Sequence, residues 1–185
     1  QGGLFDGDSN AVAARKALES ALKDDSVKGV LVRIDSPGGT VGMSQELNAA
    51  IKRLVAAKKP VVASMGDMAA SGGYYTACAA NKIVANSGTL TGSIGVILST
   101  LNMKGLLVDK LGLKPVTIKS GKFKDILSPY RETGKEEIAL LQNMINVSYQ
   151  QFLNAVLEGR LASITDADQK ARLTQSIKTV ADGRI

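Results

Sequence analysis

Residues 67–96 read DMAASGGYYTACAANKIVANSGTLTGSIGV, and the way this stretch breaks decides the fold. A short apolar run ends at Ala70, one serine follows, two glycines come next, and small residues then continue at helical length. A strand that passes into a helix through Ser71-Gly72-Gly73 exposes its serine at a turn. The first N–H groups of the helix then lie beside any negative charge that forms there. A serine that merely caps the helix gives the same pattern. The sequence differs from the G-x-S-x-G elbow of α/β-hydrolases, whose serine works with a histidine, and this chain has no histidine.

Outward from that break, strand and helix patterns alternate. A helix begins near Asp8-Ser9-Asn10 and carries Val12, Leu18 and Leu22 among charges. VKGVLVRI follows, an apolar run ending at Ile34 that reads as a buried strand. An amphipathic helix over 44–57 sets Leu47, Ile51, Leu54 and Val55 on one face, and KKPVVASMG starts another strand at Pro60. KIVAN, SIGVIL and PVTIK read as further short strands, and NMKGLLVDKLG as a helix. The longest helix covers 135–159, with Ile138, Leu141, Ile145, Tyr149, Phe152 and Val156 at helical spacing. Such alternation is the signature of an α/β fold. No repeat or linker divides the chain, so residues 1–185 read as a single domain.

Composition excludes several kinds of chemistry. The 185 residues include no tryptophan and 4% aromatics, which argues against a stacking platform for nucleic acid. The net charge of +6 comes from scattered lysines and arginines, with no nucleic-acid motif among them. No histidine and one cysteine rule out the common zinc sites, a Ser-His-Asp triad and any internal disulfide, and no cofactor is implied. Cys78, in the alanine-rich TACAA, reads as a buried structural thiol. There is no apolar run of about 18 residues to span a membrane. The loop-like opening QGGLFDGDSN and the ending ADGRI, which has no closing element, suggest a fragment of a longer chain.

Three motifs offer chemistry. In DSPGGT, Gly38 and Gly39 follow a strand end, where glycine backbone N–H groups can approach a negatively charged oxygen. A tight turn accounts for the same residues. Ser71, without a histidine, needs lysine as its base, and an ordinary lysine with pKa about 10.4 is almost wholly protonated at neutral pH. A working base must therefore be desolvated and free of carboxylates. IKSGKFKDILSP offers Lys119, Lys122 and Lys124, among which spacing does not choose. In TGSIG, the Ser93 hydroxyl is placed to orient an amine, or simply to serve a turn.

Together RIDSPGG, MAASGGYYTACAANKIVANSGTLTGSIGV and IKSGKFKDILSPYRETGKEE resemble, in order and spacing, the bacterial signal peptide peptidase A family of serine-lysine peptidases. The likeness runs over residues 27–160, and ADGR near the end matches a family element. It implies a Clp protease/crotonase-like spiral of strand-strand-helix units. Ser71 then corresponds to the nucleophile, Lys124, the lysine directly before aspartate, to the general base, and Ser93 to the hydroxyl that orients it. Gly39 and Gly72 correspond to the oxyanion-hole donors. The resemblance also implies signal peptides and other unfolded peptides as substrates, and a homo-oligomer in which serine and lysine can come from neighbouring subunits. It implies further a bacterial membrane location through an N-terminal anchor, with the catalytic domain on the extracytoplasmic side; against the family pattern that anchor, an N-terminal strand and a C-terminal segment are missing from these 185 residues. The segment over 161–180 exceeds the family pattern and reads as a helical insertion. A crotonase-type acyl-CoA hydratase or isomerase and a non-catalytic membrane scaffold of the same fold are the competing readings. The first normally needs a carboxylate base facing the thioester, and the serine-lysine set argues against it; the second has no chemical need of Ser71, Lys124 and Ser93 together.

Overall fold

Every strand of the sheet pairs with one strand, β2, in the computed structural model, which describes residues 7–185 and side chains from Asn10 onward. The loop-like reading of the first six residues lies outside the described residues, and helix α1 (Gly7–Lys23) begins directly after them. Next come β1 (Val30–Ser36), α2 (Val41–Ala56), β2 (Val61–Ala70) and the short α3 (Gly72–Ala77). β3 (Lys82–Val84), β4 (Leu90–Gly92), a π-helical turn (Gly105–Lys110), α4 (Lys135–Leu161) and α5 (Ala167–Val180) complete the order.

All pairings are parallel: Val30 lies opposite Val61 at the start of β1, Val62 opposite Lys82 in β3, and Met68 opposite Leu90 in β4. A parallel pair needs a long crossover, which α2 supplies between β1 and β2. α2 begins where the Thr40 hydroxyl accepts the Met43 N–H at 3.4 Å, and α1 ends where the Lys59 amine donates to the carbonyls of Ala21, Leu22 and Asp24. The chain is thus an α/β protein with a parallel sheet. β1 differs from its reading as a buried strand. Its burial alternates and Leu31 is 71% exposed, because among the described residues β1 has only β2 beside it and covers one face.

The chain divides into two compact units, residues up to 95 together with 149–185, and residues 96–148. The first unit holds both apolar clusters. Ile51, Leu54, Val61, Ala63 and Ala69 fill one, between α2 and β2. Tyr75, Cys78, Phe152 and Val156 fill the other, with the Tyr75 and Phe152 rings 4.7 Å apart. Gly159 lets α4 touch the end of α3, since a Cβ there would fall 2.0 Å from the Cys78 carbonyl oxygen.

The second unit is irregular. Strands expected at 93–98 and 115–119 do not form, and the helix expected over 102–112 narrows to the π-helical turn. β-branched composition favours strand, but a strand exists only with a hydrogen-bonding neighbour. Here Ile97, Leu101, Val116 and Ile118 stand largely exposed. The helical segment expected near 161–180 is α5, started by Asp166, whose carboxylate accepts the Gln169 N–H at 2.6 Å. Among the described residues no helix is long and apolar enough to cross a membrane.

Candidate active site

A bulge in β2 aims the residues that matter. Ile34 pairs with Met65 but Ser36 with Ala69, so Asp35 alone lies opposite Gly66, Asp67 and Met68. The Asp35 carboxylate accepts the Met68 N–H at 3.0 Å, and its Cγ would lie only 2.7 Å from a Cβ at Gly66. Thr89 and Thr91 hydroxyls hold the other edge through the carbonyls of Gly66 and Ala69, both at 2.8 Å. An extra stretch fixed on both sides turns the strand end and everything it carries.

What it carries is Ser71, between β2 and α3, with φ 50° and ψ −120°. A positive φ is costly for a residue with a Cβ and is kept only where the surroundings impose it. They do: the Ser71 N–H donates to Gly92 O at 3.0 Å, and the Tyr75 N–H donates to Ser71 O at 2.8 Å. Although Ser71 occupies the capping position of α3, its side chain makes no capping hydrogen bond. The hydroxyl is therefore half-buried, held at a strained strand-to-helix turn, and not engaged in capping.

The two glycine turns, far apart in sequence, lie against each other. Gly38 has φ 126°, and a Cβ there would fall 2.9 Å from Ser71 Cβ, 3.1 Å from Gly72 N and 3.2 Å from Ser71 Oγ. Gly72 in turn would set a Cβ 3.0 Å from Gly39 N and 2.3 Å from the hydroxyl oxygen of Ser44, a buried residue of α2 that donates to Thr40 O at 2.9 Å. A Cβ on Gly73 would press on Ser36 O at 3.1 Å. Of the pair in DSPGGT, Gly38 alone has positive φ; Gly39 faces open space. The Ser36 hydroxyl shapes the turn by accepting the Gly38 N–H at 3.2 Å and lying 3.1 Å from its carbonyl. The backbone nitrogens of Gly39 and Gly72 thus belong to two turns that pack against each other at Ser71, an arrangement able to bind an oxyanion.

Ser93 joins the same group through the backbone, because its neighbour Gly92 accepts from Ser71. Its own φ is 49°, and its N–H donates to Arg184 O at 2.7 Å. Gly95 packs on Gly183. The ADGR element is therefore a brace for the strand end that bears Ser93, a role its sequence does not announce.

Lys124 belongs to the second unit. It sits in the turn where its N–H donates to Gly121 O at 3.2 Å, and its side chain is exposed. The three lysines left open by spacing differ in partners. Lys119 pairs with Asp125 at 2.6 Å and Lys122 with Glu136, whereas Lys124 makes no ion pair among the described residues. Beside it lies a tight cluster that no sequence motif singles out. Arg131 grips the Asp125 carboxylate through Nε and Nη2, both at 2.9 Å, and Glu137 through Nη1 at 2.8 Å and Nη2 at 2.5 Å. These contacts hold the Asp125 carboxyl well below the ordinary carboxylate range and bring that of Glu137 down to about 2. Cys78 is a closed position. Burial pushes its thiol up to about 12, and it donates to Tyr75 O at 3.1 Å.

Known proteins resemble this chain over most of its length. Peptidase family S49 matches residues 53–182. A Synechocystis protein named as a protease is 47% identical over 178 residues, covering 95% of this chain and 60% of its own length. An Enterococcus faecium protein named as signal peptide peptidase SppA is 39% identical over 168 residues, 91% of this chain and 46% of the relative. The chloroplastic serine protease SPPA of Arabidopsis thaliana is 38% identical over 167 residues, 88% of this chain and 24% of the relative. The chain therefore spans at most 60% of the length of these relatives.

Proposed function

The chain belongs to peptidase family S49, and from that premise we propose that it forms the catalytic part of a serine peptidase of Clp protease-like fold with Ser71 as nucleophile and Lys124 as general base. The observation that carries the reading is the strained, uncapped Ser71 beside the N–H groups of Gly39 and Gly72. Ser71 Oγ attacks the peptide carbonyl while its proton passes to the Lys124 amine. Negative charge forms on the carbonyl oxygen, where Gly39 and Gly72 donate to it. The tetrahedral species collapses as the protonated amine returns its proton to the leaving nitrogen. Water, deprotonated by the same lysine, then releases the acyl group from Ser71.

Lys124 is favoured over its neighbours because Lys119 and Lys122 each hold a carboxylate, which stabilises the ammonium and spoils a base. Ser93 is assigned to orient the amine. Because Lys124 is exposed in the single chain, its desolvation must come from substrate or from another copy. The exposed Ile97, Leu101, Val116 and Ile118 are the surface we assign to contact between copies. Substrates on this reading are extended peptides, foremost remnant signal peptides, met at the extracytoplasmic face of a bacterial membrane.

The test is hydrolysis of a leucine- and alanine-rich reporter peptide. Ser71→Ala and Lys124→Ala lose at least 100-fold in kcat (on the scale of about 10²–10⁴ for an acid–base group). Lys122→Ala stays near wild type, since its pair with Glu136 is exposed on both sides. Full activity in Lys124→Ala removes the base assignment, and full activity in Ser71→Ala removes the serine mechanism altogether.

A further inference from the structure

If Lys124 is the base, a reading on which the role of Arg131 depends, its immediate neighbour poses a problem, being a carboxylate. An aspartate beside a lysine is a ready counter-ion, and a counter-ion keeps an amine protonated. Yet Asp125 is turned to other partners. Its Oδ1 receives Lys119 at 2.6 Å and Arg131 Nη2 at 2.9 Å, while Oδ2 receives Arg131 Nε at 2.9 Å. Arg131 Nη2 also donates to the main-chain carbonyl of Asp125 at 3.1 Å, as does the Ser128 N–H at 3.0 Å. On its far side Arg131 is anchored by Glu137, only 7% exposed in the first turn of α4, whose carboxylate also accepts the Gly134 N–H at 2.8 Å. The peptide after Lys124 is thereby tied to the start of the longest helix.

The other charges of this stretch are disposed of as well. Lys122 holds Glu136, and Lys124, Glu132 and Lys135 are the ones without an ion pair among the described residues. We propose that Arg131, clamped between Asp125 and Glu137, is a positioning residue for Lys124: it fixes the turn that presents the amine and keeps the adjacent carboxylate occupied. Its fork geometry suits both tasks, because one planar guanidinium meets two carboxylates and the carbonyls of Asp125 and Glu132 at once, which a lysine at that place cannot do.

The test measures kcat and KM of the reporter peptide from pH 6 to 10 in Lys124→Ala, Arg131→Met, Asp125→Asn and the double variant Arg131→Met/Asp125→Asn. Arg131→Met lowers kcat at neutral pH with KM little changed. It also moves the alkaline limb, over which kcat rises as the base loses its proton, to higher pH by roughly one unit, because Asp125 then keeps only Lys119 and its second oxygen, left without Arg131, turns to the ammonium. The double variant returns the limb to its wild-type position while the rate stays low, because the anchor is still gone. Asp125→Asn alone leaves the limb in place, since the removed charge was already occupied. That single variant keeps the question decidable if Arg131→Met does not fold. A limb that stays put in Arg131→Met, or drops by half a unit or more in Asp125→Asn, overturns the clamp while an inactive Lys124→Ala leaves the base standing. An active Lys124→Ala overturns both.

Discussion

Replacing Gly159 by alanine sets two well-understood effects against each other. Gly159 lies inside α4, where alanine is the better helix former by about 1 kcal/mol. Against that, the new Cβ would fall 2.0 Å from Cys78 O and 2.9 Å from Cys78 C, where real Cβ atoms keep at least 3.0 Å, so backbone must give by about 1 Å. There is little room to give: Cys78 is 0% exposed, Val156 1% and Phe152 3%. Overpacking a closed core costs about 1–3 kcal/mol, and a backbone-on-backbone contact belongs at the upper end. The sum is a loss of roughly 1–2 kcal/mol despite the helix gain. Urea unfolding reads it as a lower midpoint at unchanged slope. Gly42→Ala, in the first turn of α2 with no atom within 4 Å of its Cβ, is the matched control. It keeps or raises stability by up to about 1 kcal/mol. Equal responses at the two positions would refute the reasoning, because chemistry is the same and only the contact differs.

Other consequences are open to direct measurement. Gly72→Ala abolishes peptide hydrolysis, and adding Ser44→Ala recovers part of the lost melting temperature but not the activity. The second change removes the hydroxyl 2.3 Å from the new Cβ and leaves Gly39 N at 3.0 Å. Cys78, with its buried thiol raised to about 12, resists iodoacetamide at pH 8 in the folded protein and reacts on unfolding; labelling of the native protein at the free-cysteine rate would contradict its burial. The carboxyl of Glu137, brought from 4.5 to about 2 by Arg131, binds fewer protons folded than unfolded, so its stabilising contribution is present above 4.5 and is lost as pH falls towards 2. Glu137→Gln accordingly flattens acid denaturation across that window, whereas an unchanged acid limb would mean the pair contributes nothing.

The order of elements was legible because it rests on local signals. Glycines punctuate and apolar residues recur at helical spacing in α2 and α4, whereas the caps Thr40 and Asp166 show only in the structure, and α2 accordingly starts at Val41 rather than at 44. The glycine turns were legible as candidates, but their meeting was not, since it depends on how the β2 bulge redirects Ser71 towards Gly38. The strained φ of Ser71 is likewise a product of three-dimensional constraint, invisible in a residue that caps helices equally well elsewhere. PVTIK misled because its composition suits a strand while its partner lies nowhere in the described chain. No motif marks Arg131 or Glu137, and only folding brings Asp125 and Glu137 onto one guanidinium.

The brace at Asp182-Gly183-Arg184 bears on the order in which the chain is made. Ser71, Gly39, Gly72 and Ser93 all leave the ribosome long before Arg184, whose carbonyl takes the Ser93 N–H at 2.7 Å. Gly183 must also arrive before Gly95 has its packing surface. A nascent chain thus carries its serine and its glycine turns without a fixed strand end beneath them, and the site closes only when the ADGR segment docks. A chain ended at Val180 gives the measure of this: such a protein should retain α1–α5 by circular dichroism and lack peptidase activity. Synthesis itself then acts as a delay, leaving the turn at Ser71 unbraced while unfolded segments of its own chain are still close by.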